Sequence, residues 1–137
     1  MKFWVLGAAG AVLGALATMG AQWALATVAV ERPAYLVVVG EVRNPKAFAE
    51  GYVAKLPPVY AKYGGEYLAV GRNFEVLEGE AGFQSYVISK WPSMAAGRTF
   101  WNSEEYEALR QARIAGDWGR FDVFLMEGLP EKPADKP

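Results

Sequence analysis

Residues Ala34–Arg43 read AYLVVVGEVR, and this stretch decides the fold. β-branched residues dominate it, which suits a pleated, half-buried surface. Asn44-Pro45 closes it. Asn caps helices and Pro fits the first helical position, so a strand should run straight into a helix. Along the strand, Tyr35, Val37 and Val39 alternate with Leu36 and Val38, so both faces are apolar. One face can take helices, and the other needs a second covering layer.

Downstream, Phe48, Tyr52, Leu56 and Tyr60 recur at i, i+4, i+8 and i+12. That spacing predicts a helix to about Tyr63, with a kink or a restart at Pro57-Pro58, where two backbone N–H groups are missing. Gly64-Gly65 ends it, with one glycine in a left-handed cap. A second strand covers Glu66–Arg72, with an extension to Leu77 left open. Glu78–Gly82 is a turn and Phe83–Trp91 a third strand. Pro92-Ser93 caps a helix over Met94–Trp101. Asn102 to Glu105 resembles a capping box, with Asn102 as cap and Glu105 reaching back, opening a further helix to about Ile114 that Ala115-Gly116 stops. Arg120–Glu127 is a fourth strand. The order β-α-β-β-α-β gives an α+β, ferredoxin-like plan: a four-stranded antiparallel sheet with helices on one face. A homodimer that closes two sheets into an α/β barrel is the simplest cover for the other face.

Upstream, Phe3 to Val30 carries no charge and follows Lys2. Small residues at Ala24 and Ala26 favour a signal peptide cut after Ala26. An uncleaved anchor is the alternative, since about 20 apolar residues span a bilayer. The expected organisation is therefore a leader over residues 1–26, a domain over 27–128 and a Pro-rich, disordered tail over 129–137. The positive end stays in the cytoplasm, so the domain should be exported and face the periplasm or the exterior. The membrane is met only through the leader.

Composition narrows the chemistry. The 137 residues include no Cys and no His. Thiol nucleophiles, disulfides and imidazole bases are excluded within the chain, and so are the commonest ligands of zinc and haem. A net charge of −1 leaves no basic footprint for nucleic acid. No carboxylate cluster has metal-like spacing, and no cofactor is implied. Gly64-Gly65 lacks the company of a phosphate loop.

Several pieces together resemble a known family. They are the opening strand with its acidic end, Pro57-Pro58 followed by Tyr63-Gly64-Gly65, Glu78-Gly79, Trp91-Pro92-Ser93, Trp101 through Tyr106, and Glu127-Gly128. Ala34 to Gly128 is similar to the domain-of-unknown-function 1330 family of the dimeric α/β-barrel superfamily. The resemblance implies the fold and a dimer. The superfamily includes cofactor-free monooxygenases, haem enzymes and lactone isomerases, and the family offers no catalytic residues to carry over. The leader departs from its cytoplasmic relatives.

Candidate site residues fall in groups. Glu41 and Arg43 end the first strand and can orient a polar ligand, or simply form a surface ion pair. Arg72 and Glu78 bracket the second strand's end, where an Arg can hold an anion. Trp101 and Tyr106, with Arg98 and Arg113, can wall a pocket for a planar ligand, or pack a core. Tyr106, Leu109 and Arg113 share one helical face, which fits packing with a snorkelling Arg. Tyr35, Tyr63 and Tyr86 offer phenols, which are weak bases near neutral pH. No set has a clear proton-transfer role. The reading is an exported, dimeric small-molecule-binding or structural domain, with a cofactor-independent monooxygenase or isomerase as the alternative.

Overall fold

A computed structural model describes residues 31–132. The leader and most of the tail lie outside the described residues. β1 (Ala34–Val42) leads into α1 (Pro45–Gly51), a 3-10 turn (Val53–Lys55) and α2 (Leu56–Tyr63). β2 (Glu66–Gly71) and β3 (Ser85–Trp91) follow, then α3 (Met94–Trp101), α4 (Glu104–Ala115) and β4 (Gly119–Glu127). The four strands lie in the order β2-β3-β1-β4, and every pairing is antiparallel. This is the ferredoxin-like α+β arrangement that the strand and helix order predicts. A bulge shifts the β2–β3 register between Tyr67 and Ala69.

Local chemistry sets most boundaries. The Asn44 side chain accepts from the Ala47 N–H at 3.2 Å, and Ser93 accepts from the Ala96 N–H at 3.1 Å. Gly64 ends α2 with φ 80°, the left-handed conformation that glycine adopts at no steric cost. Three boundaries differ from expectation. The first helical segment breaks at Tyr52–Lys55, upstream of the prolines. The restart expected at Pro57-Pro58 is present: the prolines sit in the first turn of α2, where a missing N–H costs nothing. The cap of α4 is Ser103, whose hydroxyl accepts from the Tyr106 N–H at 3.2 Å. Asn102 closes α3, its N–H donating to the Arg98 carbonyl at 2.9 Å. Finally, β2 stops at Gly71, and Val76 and Leu77 stand exposed in the loop beyond it.

The core lies between the sheet and the helices. Trp91 and Phe100 are fully buried, with ring centroids 4.4 Å apart, and Tyr60 meets Phe100 edge-on at 4.9 Å. The Trp91 indole N–H donates to the Ser89 hydroxyl at 3.1 Å, so the buried polar tip is satisfied. α3 rests directly on β4 because Gly97 has no side chain: a Cβ there would sit 2.7 Å from Leu125 Cδ1. Phe48, Tyr52, Leu56 and Tyr60 all pack on this core, as their spacing requires, even though the helix carrying them is broken.

Strand register assigns the opposite face. Leu36 and Val38 point toward the helices, so Tyr35, Val37 and Val39 point away. Ile88 and Phe124 flank Val37 in one cross-strand row. Phe124 is 52 % exposed and Met126 48 %.

Candidate functional site

A cavity of about 370 Å³ opens between the sheet and the α1–α2 segment. Its floor comes from Leu36 and Val38 of β1 and Val87 of β3; Tyr52, Leu56 and Tyr60 form its roof. Tyr106 of α4 and Phe121 of β4 contribute walls, and Tyr67, Val70 and Arg72 line the side nearest β2. The helical spacing that turns Tyr52, Leu56 and Tyr60 toward the sheet is therefore also what lines the cavity.

The polar groups of the cavity are mostly phenols. The Tyr52 and Tyr106 hydroxyls lie 2.9 Å apart in a buried hydrogen bond, in which either can donate. One bond between two hydroxyls uses one hydrogen, so the pair keeps an O–H to offer. Tyr60 and Tyr67 stack at 4.2 Å with an interplanar angle of 12°. Burial pushes the Tyr60, Tyr67 and Tyr106 phenols above their ordinary value of 10.0. At neutral pH these groups are hydrogen-bonding phenols rather than bases. Among the described residues, no carboxylate lines the cavity and Arg72 is its sole charged wall residue.

The residues singled out from sequence are spread over several places. Glu41 lies in a polar cleft of about 410 Å³ at the sheet end, with Arg120 and Asp122. The Arg43 Nε donates to Glu41 at 3.0 Å, and the same guanidinium reaches Asp117 at 2.9 Å. The pairs hold Arg43 above its usual range, through the Glu41 hydrogen bond first and Asp117 second. Arg72 sits on the cavity, while Glu78 is exposed in the loop beyond β2 and does not line it. Arg98 and Trp101 border a separate hollow of about 340 Å³ between α3 and the sheet, with Met94 and Val123.

Tyr106 belongs to the main cavity, and Trp101 packs against it at 5.1 Å. The cation over Trp101 is Arg110, 4.6 Å from the ring centroid, a pairing not anticipated from sequence. Arg113 is 6 % exposed and lies behind the cavity wall, over the rings of Tyr52 at 5.4 Å and Phe121 at 5.2 Å. It donates to the Gly119 carbonyl at 3.0 Å, but its Nε has no hydrogen-bond partner among the described residues. Tyr52, Tyr60 and Tyr67 are the site residues that sequence reasoning missed as such. The signal of Tyr52 and Tyr60, an aromatic stripe at helical spacing, is the same one that marks a core, and Tyr67 lies on strand β2, outside that stripe.

No group of His, Cys, Asp and Glu among the described residues could hold a metal ion.

Residues 33–129 match the family described as "Domain of unknown function (DUF1330)". The chain belongs to this family. The DUF1330 domain also resembles the crystal structure of a protein of unknown function from Rhodopseudomonas palustris. That match has a TM-score of 0.56 at 20 % identity and covers 75 % of this chain and 85 % of that one. The methylated form of the Rhodopseudomonas protein gives the same score and identity, covering 77 % and 85 %. An ethyl tert-butyl ether d (EthD) family protein from Bacillus halodurans C-125 gives 0.49 at 16 % identity, over 72 % and 99 %. At such identities the likeness concerns the fold of the DUF1330 domain alone. No curated protein matches the chain significantly.

Proposed function

We propose that this DUF1330 domain is an exported, dimeric binding domain that takes a small, largely apolar organic molecule into the cavity between the sheet and α1–α2. The observation that carries the reading is the cavity itself: about 370 Å³, walled by aliphatic and aromatic side chains, with a hydrogen-bonded phenol pair as its polar handle. Binding sites of this size are usually apolar with a few convergent polar groups. The enzymatic alternative would need a proton acceptor. Among the described residues, no carboxylate lines the wall, and burial makes the Tyr60, Tyr67 and Tyr106 phenols still less willing to ionise.

Export rests on the uncharged stretch after Lys2 and on the small residues around Ala26. No helix among the described residues is long and apolar enough to cross a membrane. The dimer rests on the open sheet face, where Val37, Ile88 and Phe124 form an apolar row that water would otherwise cover.

Native mass spectrometry of the purified chain tests both points together. A dimer retaining a defined organic mass is the expected result. Val70→Trp, which places an indole at the half-open side of the cavity, should abolish the retained mass and leave the dimer intact. Retention of the same mass by Val70→Trp would move the binding site elsewhere.

A further inference from the structure

Arg72 gives the cavity a chemical preference. Among the described residues it is the one charged side chain on a wall otherwise made of aliphatic, aromatic and hydroxyl groups. Arg43 and Arg110 each pair with a carboxylate, but Arg72 has no ion-pair or hydrogen-bond partner among the described residues. Glu75, Glu78 and Glu80 follow on the same loop, and none of them lines the cavity. An occupant with a cationic head would thus meet an unopposed guanidinium, and a carboxylate would meet a planar donor fork matched to its two oxygens.

Size bounds the rest. The cavity holds about a dozen groups at the roughly 30 Å³ that a water molecule occupies in the liquid. We propose that the ligand is a small monocarboxylate, with an alkyl or aryl body of that size packed against Leu36, Val38 and Tyr60 and its carboxylate held at the mouth by Arg72. This rests on the cavity being the binding site, and it adds the class of molecule that the site selects.

The test uses the full chain and three probes of equal chain length: nonanoate, 1-nonanol and nonylamine. Affinities are measured by isothermal titration calorimetry at neutral pH and low salt. Nonanoate should bind about fivefold more tightly than 1-nonanol, the range expected for a solvent-accessible ion pair. In Arg72→Gln that preference should vanish, with a larger loss of affinity for nonanoate than for 1-nonanol, because the stem of Arg72 lines the cavity for either probe. Val70→Trp should weaken all three.

Equal affinities for nonanoate and 1-nonanol in the native chain would overturn the carboxylate preference and leave the cavity reading standing. So would a preference that survives Arg72→Gln, or tighter binding of nonylamine. Binding of none of the probes, or undiminished binding by Val70→Trp, would overturn both.

Discussion

The phenols of Tyr52 and Tyr106 meet at 2.9 Å, joining the end of α1 to the first turn of α4 across the inner wall of the cavity. Each hydroxyl is buried and each depends on the other. Tyr52→Phe or Tyr106→Phe alone strands the remaining hydroxyl, at about 1–3 kcal/mol. The double Phe variant leaves nothing unpaired. It should cost clearly less than the sum of the two single changes, read from urea denaturation. Additive losses would show that the pair is not coupled.

Alkaline pH should unfold the domain through its buried phenols. Burial raises the Tyr60 and Tyr106 values, so the folded state holds these protons where the unfolded chain releases them. Their contribution to stability is complete below about pH 10, the unfolded value, and is lost as pH climbs above it. Near-ultraviolet absorbance should show a class of tyrosines that ionises only together with the loss of far-ultraviolet dichroism. A titration with every phenol ionising before unfolding would contradict this.

At acid pH the informative group is Glu105. The Lys62 ammonium holds its carboxyl down to about 2, with the backbone N–H of Glu105 and then the Tyr63 hydroxyl adding to the effect. A depressed folded value means that the group's contribution is present above about pH 4.3 and fades as pH falls toward the folded value. Side-chain carbonyl NMR should place the Glu105 midpoint well below that of the other glutamates, and Lys62→Ala should raise it. An unchanged midpoint in Lys62→Ala would remove the ammonium as the cause.

Arg113 fills space behind the cavity wall and carries a buried cation over two rings. Its Nε is unpartnered, and its one hydrogen bond goes to a backbone carbonyl. Arg113→Met keeps the aliphatic stem but removes the guanidinium that lies over Tyr52 and Phe121 and its bond to the Gly119 carbonyl, and with them the cost of a buried cation, so it should cost less than Arg113→Ala. Arg113→Ala leaves a hole and should cost about 2 kcal/mol or more. Thermal denaturation separates the two. An equal loss in both variants would mean that the charge matters.

The proposed dimer makes Phe124 a sensitive position. It lies on the open face beside Val37, away from the helices and from the cavity. Phe124→Asp should give a monomer in sedimentation velocity with unchanged far-ultraviolet dichroism. A dimer that survives this change would have to use another surface.

The fold was readable because its signals are local. The β-branched run at Ala34, the glycine pair at Gly64 and the serine at Ser93 each act on their own neighbours, and each does so in the structure. The errors arose where two local solutions competed. Asn102 and Ser103 are both good caps, and the choice fell to Ser103 because Asn102 was needed to end α3. The prolines, by contrast, mark the restart they suggested, because a first turn has no use for their missing N–H groups. Of the cavity, only Arg72 and Tyr106 were singled out in the sequence, and its extent was not legible. Tyr52 and Tyr60 carry the same pattern whether they border a filled core or a hollow, because periodicity records which side chains face inward and not how much space they leave. The pairing of Arg43 with Asp117 joins residues 74 positions apart and likewise leaves no local trace.

The bulge at Tyr67–Ala69 lies in β2, which forms one border of the sheet. A regular border strand offers a template on which a further strand can dock and repeat. Here the spacing of free N–H and C=O groups slips by a residue midway along the strand, so an incoming strand in register with one half is out of register with the other. The domain carries in that single irregularity a defence against open-ended, fibre-like growth, and straightening β2 by deleting Leu68 would remove it.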